Sequence, residues 1–167
     1  MIGVNATHKT AMESPPILAL DQVGKTYANG TVALQDFNLK VQPGTITSLV
    51  GPSGCGKSTV LKLVSGLGEM TSGHMTWADD DPRASRRSQR NPHKLAYVFQ
   101  EAALMPWATV MDNVRLPLKL AKVPKRQSLE AVSDAIAQVG LQGFERCYPR
   151  ELSGGMKMRV SIARALV

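Results

Sequence analysis

Cysteine is scarce: the 167 residues hold two, Cys55 and Cys147. A disulfide framework needs more of them in a shorter secreted chain, so the cytoplasm is the expected compartment. Aromatic residues make up 5%. None interleaves with the arginines at 83, 86, 87 and 90, which argues against a base-stacking nucleic-acid platform. No apolar run approaches the roughly 18 residues of a transmembrane helix, so a membrane role has to come through a partner. Residues 1–16 lack a basic start followed by an apolar stretch, and a flexible polar tail is expected there rather than a secretory signal. Acidic residues are the minority, 13 against 20 lysines and arginines, for a net charge of +7. Taken alone that excess admits nucleic acid, anionic lipid or phosphate ligands. Much of it sits in the four arginines, which read as a solvated surface loop.

The chain is long enough for one domain with a real core. Strands are expected at 17–27 and 31–41 around an Asn29-Gly30 turn. A β-rich run at 46–50 ends at Gly51. Helical spacing follows at 57–67, with Val60, Leu61, Val64 and Leu67 on one face. Residues 74–77 are strand-like, 79–93 read as a polar loop, and 95–99 form a strand candidate ending at Gln100. Thr109 caps an expected helix at 110–116, with Asp112 near its positive end. A helix at 128–139 stops at Gly140, and a last one begins at Ser153-Gly154-Gly155 and runs to Val167. Strands alternating with helices argue an α/β layered core.

Gly51-Pro52-Ser53-Gly54-Cys55-Gly56-Lys57-Ser58-Thr59 fits G-x-x-x-x-G-K-[ST] without departure. The glycines let the backbone curl until successive N–H groups face inward, a concave anion site. The helix starting near Lys57 adds its partial positive end. Lys57 is expected to reach the β- and γ-phosphates of a nucleotide, and the Ser58 hydroxyl to bind Mg²⁺. A glycine-rich turn without a ligand would not require a lysine and two hydroxyls on the first helical turn.

Leu152-Ser153-Gly154-Gly155-Met156, with the helix-like run to Leu166, resembles the signature sequence of ABC ATPases, whose common form has Gln at the last position. Taken alone, Ser153 could be an ordinary helix cap. Gln100, 43 positions after Lys57, is similar to the family's Q-loop glutamine, and Tyr27, 24 positions before Gly51, to its adenine-stacking aromatic. Thr71-Ser72-Gly73 also fits the pattern. The resemblance covers residues 17–167. It implies a phosphate-loop core with an N-terminal antiparallel β part and a helical insert at about 109–152. Further implications are ATP and Mg²⁺ as cofactors, and Lys57 and Gln100 in catalysis. Tyr27, residues 51–59, Ser153, Gly154 and Gly155 would bind nucleotide, with Ser58 and Gln100 at the metal. The signature would grip the γ-phosphate held by a second copy. The implied partners are that second ATP-binding subunit, a membrane permease and, indirectly, a solute-binding protein, at the cytoplasmic side of the inner membrane. Residues 99–107 and Met156 resemble importers of the nitrate, sulfonate and taurine group.

The family's next element is an apolar run ending in Asp-Glu, which supports the metal and polarises water; a switch histidine comes later. The sequence stops at Val167 before either, so the expectation is a partial domain that does not hydrolyse ATP by itself. Asp79, Asp80 and Asp81 follow no buried apolar run, and neither His74 nor His93 occupies the switch position. Three other readings stay open. A nucleic-acid-linked ABC ATPase draws on the basic charge, but a form with long coiled-coil insertions is excluded, because Lys57 and Ser153 are only 96 positions apart. A small-molecule kinase leaves Gln100 and the Leu-Ser-Gly-Gly segment unexplained. A truncated, non-hydrolysing remnant would bind nucleotide at most.

Overall fold

The computed structural model describes residues 3–6, 15–78 and 95–167. Arg83, Arg86, Arg87, Arg90, the three aspartates and His93 lie outside them. The chain divides into two compact units, Met1–Leu95 and Ala96–Val167, each with its own apolar core.

The first unit runs β1 (Gly3–Ala6), β2 (Leu18–Thr26), β3 (Val32–Val41), β4 (Thr47–Val50), α1 (Lys57–Val64) and β5 (Ser72–Trp77). β3, β2 and β5 make an antiparallel sheet in that order. The β2–β3 turn closes where Asn29-Gly30 predicts it: Tyr27 N–H donates to Thr31 O at 2.9 Å, and Gly30 takes φ 82°. Within the segment expected to be a flexible tail, Gly3–Ala6 forms β1 and pairs antiparallel with β4.

Leu18 and Leu20 alternate into the core, and then the register shifts so that Val23, not residue 22, is buried. The shift is a bulge at Gln22, whose φ is 47°. Asn38 supports it by accepting the Gln22 N–H at 3.0 Å. Gly73, at φ 83°, passes so close to the Gln22 backbone that a Cβ would collide with it. The Thr71-Ser72-Gly73 segment therefore has a packing reason for its glycine.

α1 is shorter than expected. It ends at Val64 because Gly66, at φ 71°, closes a Schellman turn: Leu67 N–H donates to Lys62 O at 2.9 Å. Its core face also differs from the expectation. Val60 and Leu63 are buried, whereas Leu61 and Leu67 are exposed. Burial of each such side chain contributes about 1.5–3 kcal/mol.

The second unit is helical: α2 (Val110–Leu120), α3 (Lys125–Gln138), a 3₁₀ turn (Pro149–Glu151) and α4 (Gly154–Leu166). Val110, Val114, Val132, Ile136, Leu141 and Val160 close its core. Thr109 caps α2 as expected, its Oγ1 accepting the Asp112 N–H at 3.2 Å. α2 continues four residues past the expected stop, through Pro117, because Leu118 packs on the core beyond it. α3 starts at Lys125 behind Pro124, so Ser128 is internal and buried; it accepts from Arg115 Nε at 2.8 Å. Residues 95–99 have no ladder partner among the described residues, so the expected strand is not formed. The alternation survives only as an edge-to-face pair of the Tyr97 and Phe99 rings, 4.6 Å apart. Midway along the α3–α4 connection, Glu145 Oε1 accepts the Gly143 N–H at 3.0 Å. Its own backbone N–H, then that of Gly143, holds the Glu145 carboxyl below the ordinary carboxylate range, with Arg146 adding to the effect.

Candidate nucleotide site

β4 delivers the chain into the glycine-rich loop, and the loop ends directly on α1. Gly54, at φ 81°, and Gly56, at φ 99°, take the left-handed turns that fold it back on itself. Gly56 is the residue before the helix. It offers no side-chain cap, and the first turn of α1 holds no acidic residue. The opening amides of α1 therefore have neither an intrahelical acceptor nor a competing carboxylate, which suits an anion. The contrast with α2 is direct, since there Thr109 and Asp112 fill the same role.

Lys57 curls back over the loop. Its Nζ donates to Gly51 O at 2.8 Å and to Pro52 O at 2.7 Å, and lies 3.5 Å from Cys55 Sγ. The ammonium is thus held on neutral carbonyls at the mouth of an amide-lined turn, where an anion can exchange for them. Ser58 is exposed on the first turn, next to Thr59. Cys55 is a free thiol.

Tyr27, expected to stack on a base, is brought to this helix. Its hydroxyl lies 3.4 Å from Thr59 Oγ1, and Lys25 Nζ sits 5.4 Å from its ring centroid. Tyr27 as a residue is 41% exposed. The Thr59 contact was not legible in the sequence, because positions 27 and 59 are far apart along the chain.

Gln100, Ser153, Gly154 and Gly155 belong to the second unit. Gln100 is exposed at a bend. Ser153 caps α4, its Oγ accepting the Met156 N–H at 3.3 Å. Gly154 and Gly155 are exposed, and a Cβ on either would meet nothing within 4 Å. His74 is exposed on β5. Among the described residues no group of three or more His, Cys, Asp or Glu could hold a metal ion.

Strand, glycine loop, lysine and uncapped helix together define a phosphate-loop protein. The chain belongs to the ABC transporter family, whose model matches residues 34–167. It is 42% identical over 156 residues to the spermidine/putrescine import ATP-binding protein PotA of Hahella chejuensis, covering 93% of this chain and 42% of that protein. It is 39% identical over 149 residues to the sulfate/thiosulfate import ATP-binding protein CysA of Gloeobacter violaceus, covering 89% of this chain and 42% of that one. The chain thus spans about two-fifths of the length of these curated relatives. Among solved structures, a dimeric post-hydrolysis ATP-binding cassette bound to ADP and Pi superposes with a TM-score of 0.74 at 30% identity. That match covers 89% of this chain and 68% of the other. The α/β phosphate-loop fold and the ABC family expected from the sequence are both borne out.

Proposed function

We propose that this chain is the ATP-binding part of an energy-coupling subunit of a membrane importer, in which ATP hydrolysis drives transport. The observation that carries the reading is Lys57, parked on the carbonyls of Gly51 and Pro52 at an uncapped helix start. In this reading residues 51–59 cradle the phosphates, Lys57 neutralises them, and Ser58 and Gln100 face a Mg²⁺ that spreads the charge of the transferred phosphoryl group. Tyr27 stacks on adenine. Ser153, Gly154 and Gly155 meet the nucleotide of a second copy; a dimeric cassette with ADP and Pi among the similar structures supports that arrangement. The relatives named as import ATP-binding proteins support a permease partner. None of the helices is long and apolar enough to cross a membrane among the described residues. We place the chain peripherally on the cytoplasmic face of the inner membrane, working with a solute-binding protein through the permease. Residues 99–107 and Met156 support a solute of the nitrate, sulfonate or taurine kind; the named relatives import polyamines and sulfate or thiosulfate instead.

Tyr27 separates base from phosphate recognition. Tyr27→Ala weakens ATP about tenfold but leaves inorganic tripolyphosphate within about twofold, because stacking contributes about 1–3 kcal/mol and concerns only the base. Tyr27→Phe keeps the ring and loses the Thr59 contact, so its effect is smaller. Competition titrations with both ligands decide this, and equal weakening of the two would make Tyr27 merely structural.

Permease docking is placed at residues 101–107. The apolar side chains of this stretch are Leu104, Met105 and Trp107, and Met105 is half-buried. Leu104 is half-buried on the helical core, whereas Trp107 is 76% exposed. A photo-crosslinking side chain at position 107 is expected to label a membrane permease when the two are co-expressed. Labelling confined to the soluble subunit rejects the docking assignment.

A further inference from the structure

Between Gln100 and α2 the chain forms only bends and turns, yet side chains from two helices bind its backbone. From α4, Arg164 donates through Nη1 to Ala103 O at 3.0 Å and through Nη2 to Ala102 O at 3.2 Å. A further bond from Nη2 to Ser161 Oγ at 3.4 Å fixes the guanidinium on its own helix, and Ser161 is itself buried. The fork is needed there: Ala103 sits at φ 42°, a conformation that a non-glycine residue keeps only when its surroundings impose it. From α2, Asn113 is fully buried and spends its whole amide on the same segment. Its Oδ1 accepts the Met105 N–H at 2.8 Å. Its Nδ2 donates to Met105 O at 3.2 Å, Ala108 O at 3.0 Å and Thr109 O at 3.0 Å. Leu104, between the two sets of bonds, packs on the helical core. The one large apolar side chain left outside is Trp107.

A loop joined to its scaffold only at its ends absorbs a push by bending. This one is tied at Ala102, Ala103, Met105, Ala108 and Thr109. We propose that Arg164 and Asn113 are positioning residues that lock residues 102–109 to α4 and α2, so that a load received at Trp107 displaces the N-terminus of α4 instead of being absorbed by the segment. The direction of the load rests on the permease-docking reading above; the lock itself does not. Arg164 suits the task through geometry as much as charge, since a planar fork reaches two successive carbonyls and an ammonium is a single point. Two packed helices and the hydrogen bonds that tie the segment to them are a physical route by which such coupling travels.

The test is amide hydrogen exchange on the intact protein, comparing wild type, Arg164→Ala and Arg164→Lys. The expected result is exchange at Met105 and Ala108 about tenfold faster in Arg164→Ala, with Val132, Ile136 and Val160 changed less than about twofold. Arg164→Lys lies between, restoring one bond of the fork. Asn113→Ala gives the same local pattern if it folds; if not, the arginine series carries the test. With the permease present, Arg164→Ala lowers permease-stimulated turnover while nucleotide affinity stays at the wild-type value. Unchanged exchange over 102–108 overturns the lock. So does an increase spread evenly through α2, α3 and α4, which marks a general loss of stability. Absent crosslinking from position 107 together with locally raised exchange leaves the lock standing and removes only the docking reading.

Discussion

Lys57→Ala lowers the affinity for Mg-ATP by about one hundredfold. A hydrogen bond to a charged group contributes about 1.5–3 kcal/mol, and each 1.4 kcal/mol is a factor of ten, so the loss of one or two such bonds gives that range. The geometry says where the loss falls. The ammonium rests on Gly51 O and Pro52 O, and a polyphosphate entering the loop displaces neutral acceptors in favour of anionic ones. The same two bonds tie the loop together, so the substitution also loosens it. A ligand series separates these effects from base recognition. Inorganic tripolyphosphate loses as much as ATP, and adenosine loses little. That profile is the mirror image of the one expected for Tyr27→Ala. Calorimetric titration at fixed ionic strength measures both, and equal ATP affinity of wild type and mutant would remove Lys57 from the nucleotide site.

How much of this was legible in the sequence depends on how local the signal is. The Asn29-Gly30 turn, the Thr109 cap and the Ser153 cap all rest on residues two to four apart, and each formed where the sequence places it. The same holds for the left-handed stop at Gly140, with φ 66°. The phosphate loop is local too, which is why nine consecutive residues foretell a strand, a turn and a helix. Misreadings arose where distant packing decides. Spacing alone puts Val60, Leu61, Val64 and Leu67 on one face of the expected helix, whereas the core takes Val60 and Leu63. The helix expected at 110–116 runs on through Pro117 because Leu118 packs on the core. The bulge at Gln22 exists because Asn38 and Gly73 reach it from other strands. Arg164 and Asn113 read as ordinary helix residues, since their acceptors are backbone carbonyls, and carbonyls leave no mark on the sequence.

Gly154→Asp divides stability from function by acting on them with opposite sign. Ser153 caps α4 and takes the Met156 N–H, while the first turn carries no acidic side chain. A Cβ on Gly154 meets nothing within 4 Å, so the aspartate has room. A carboxylate in the first turn of a helix is stabilising by about 0.3–1 kcal/mol through the partial positive charge there. Replacing glycine inside a helix adds a little more. The melting temperature therefore stays level or rises slightly. In the proposed dimer, however, this helix start meets the terminal phosphate of ATP held by the other copy. The new carboxylate neutralises the attraction and sets one negative charge against another. At about 4 Å and an effective dielectric near 20 that repulsion is about 4 kcal/mol, close to a thousandfold in association. ATP-dependent dimerisation, followed by light scattering on the intact protein, should vanish, while each copy binds ATP at its own phosphate loop with unchanged affinity. Gly154→Asn carries nearly the same bulk without the charge and retains more of the association, which separates repulsion from crowding. If Gly154→Asp dimerises with ATP as readily as the wild type, the start of α4 does not face a phosphate. The signature would then be what its local geometry also allows, a well-capped helix and nothing more.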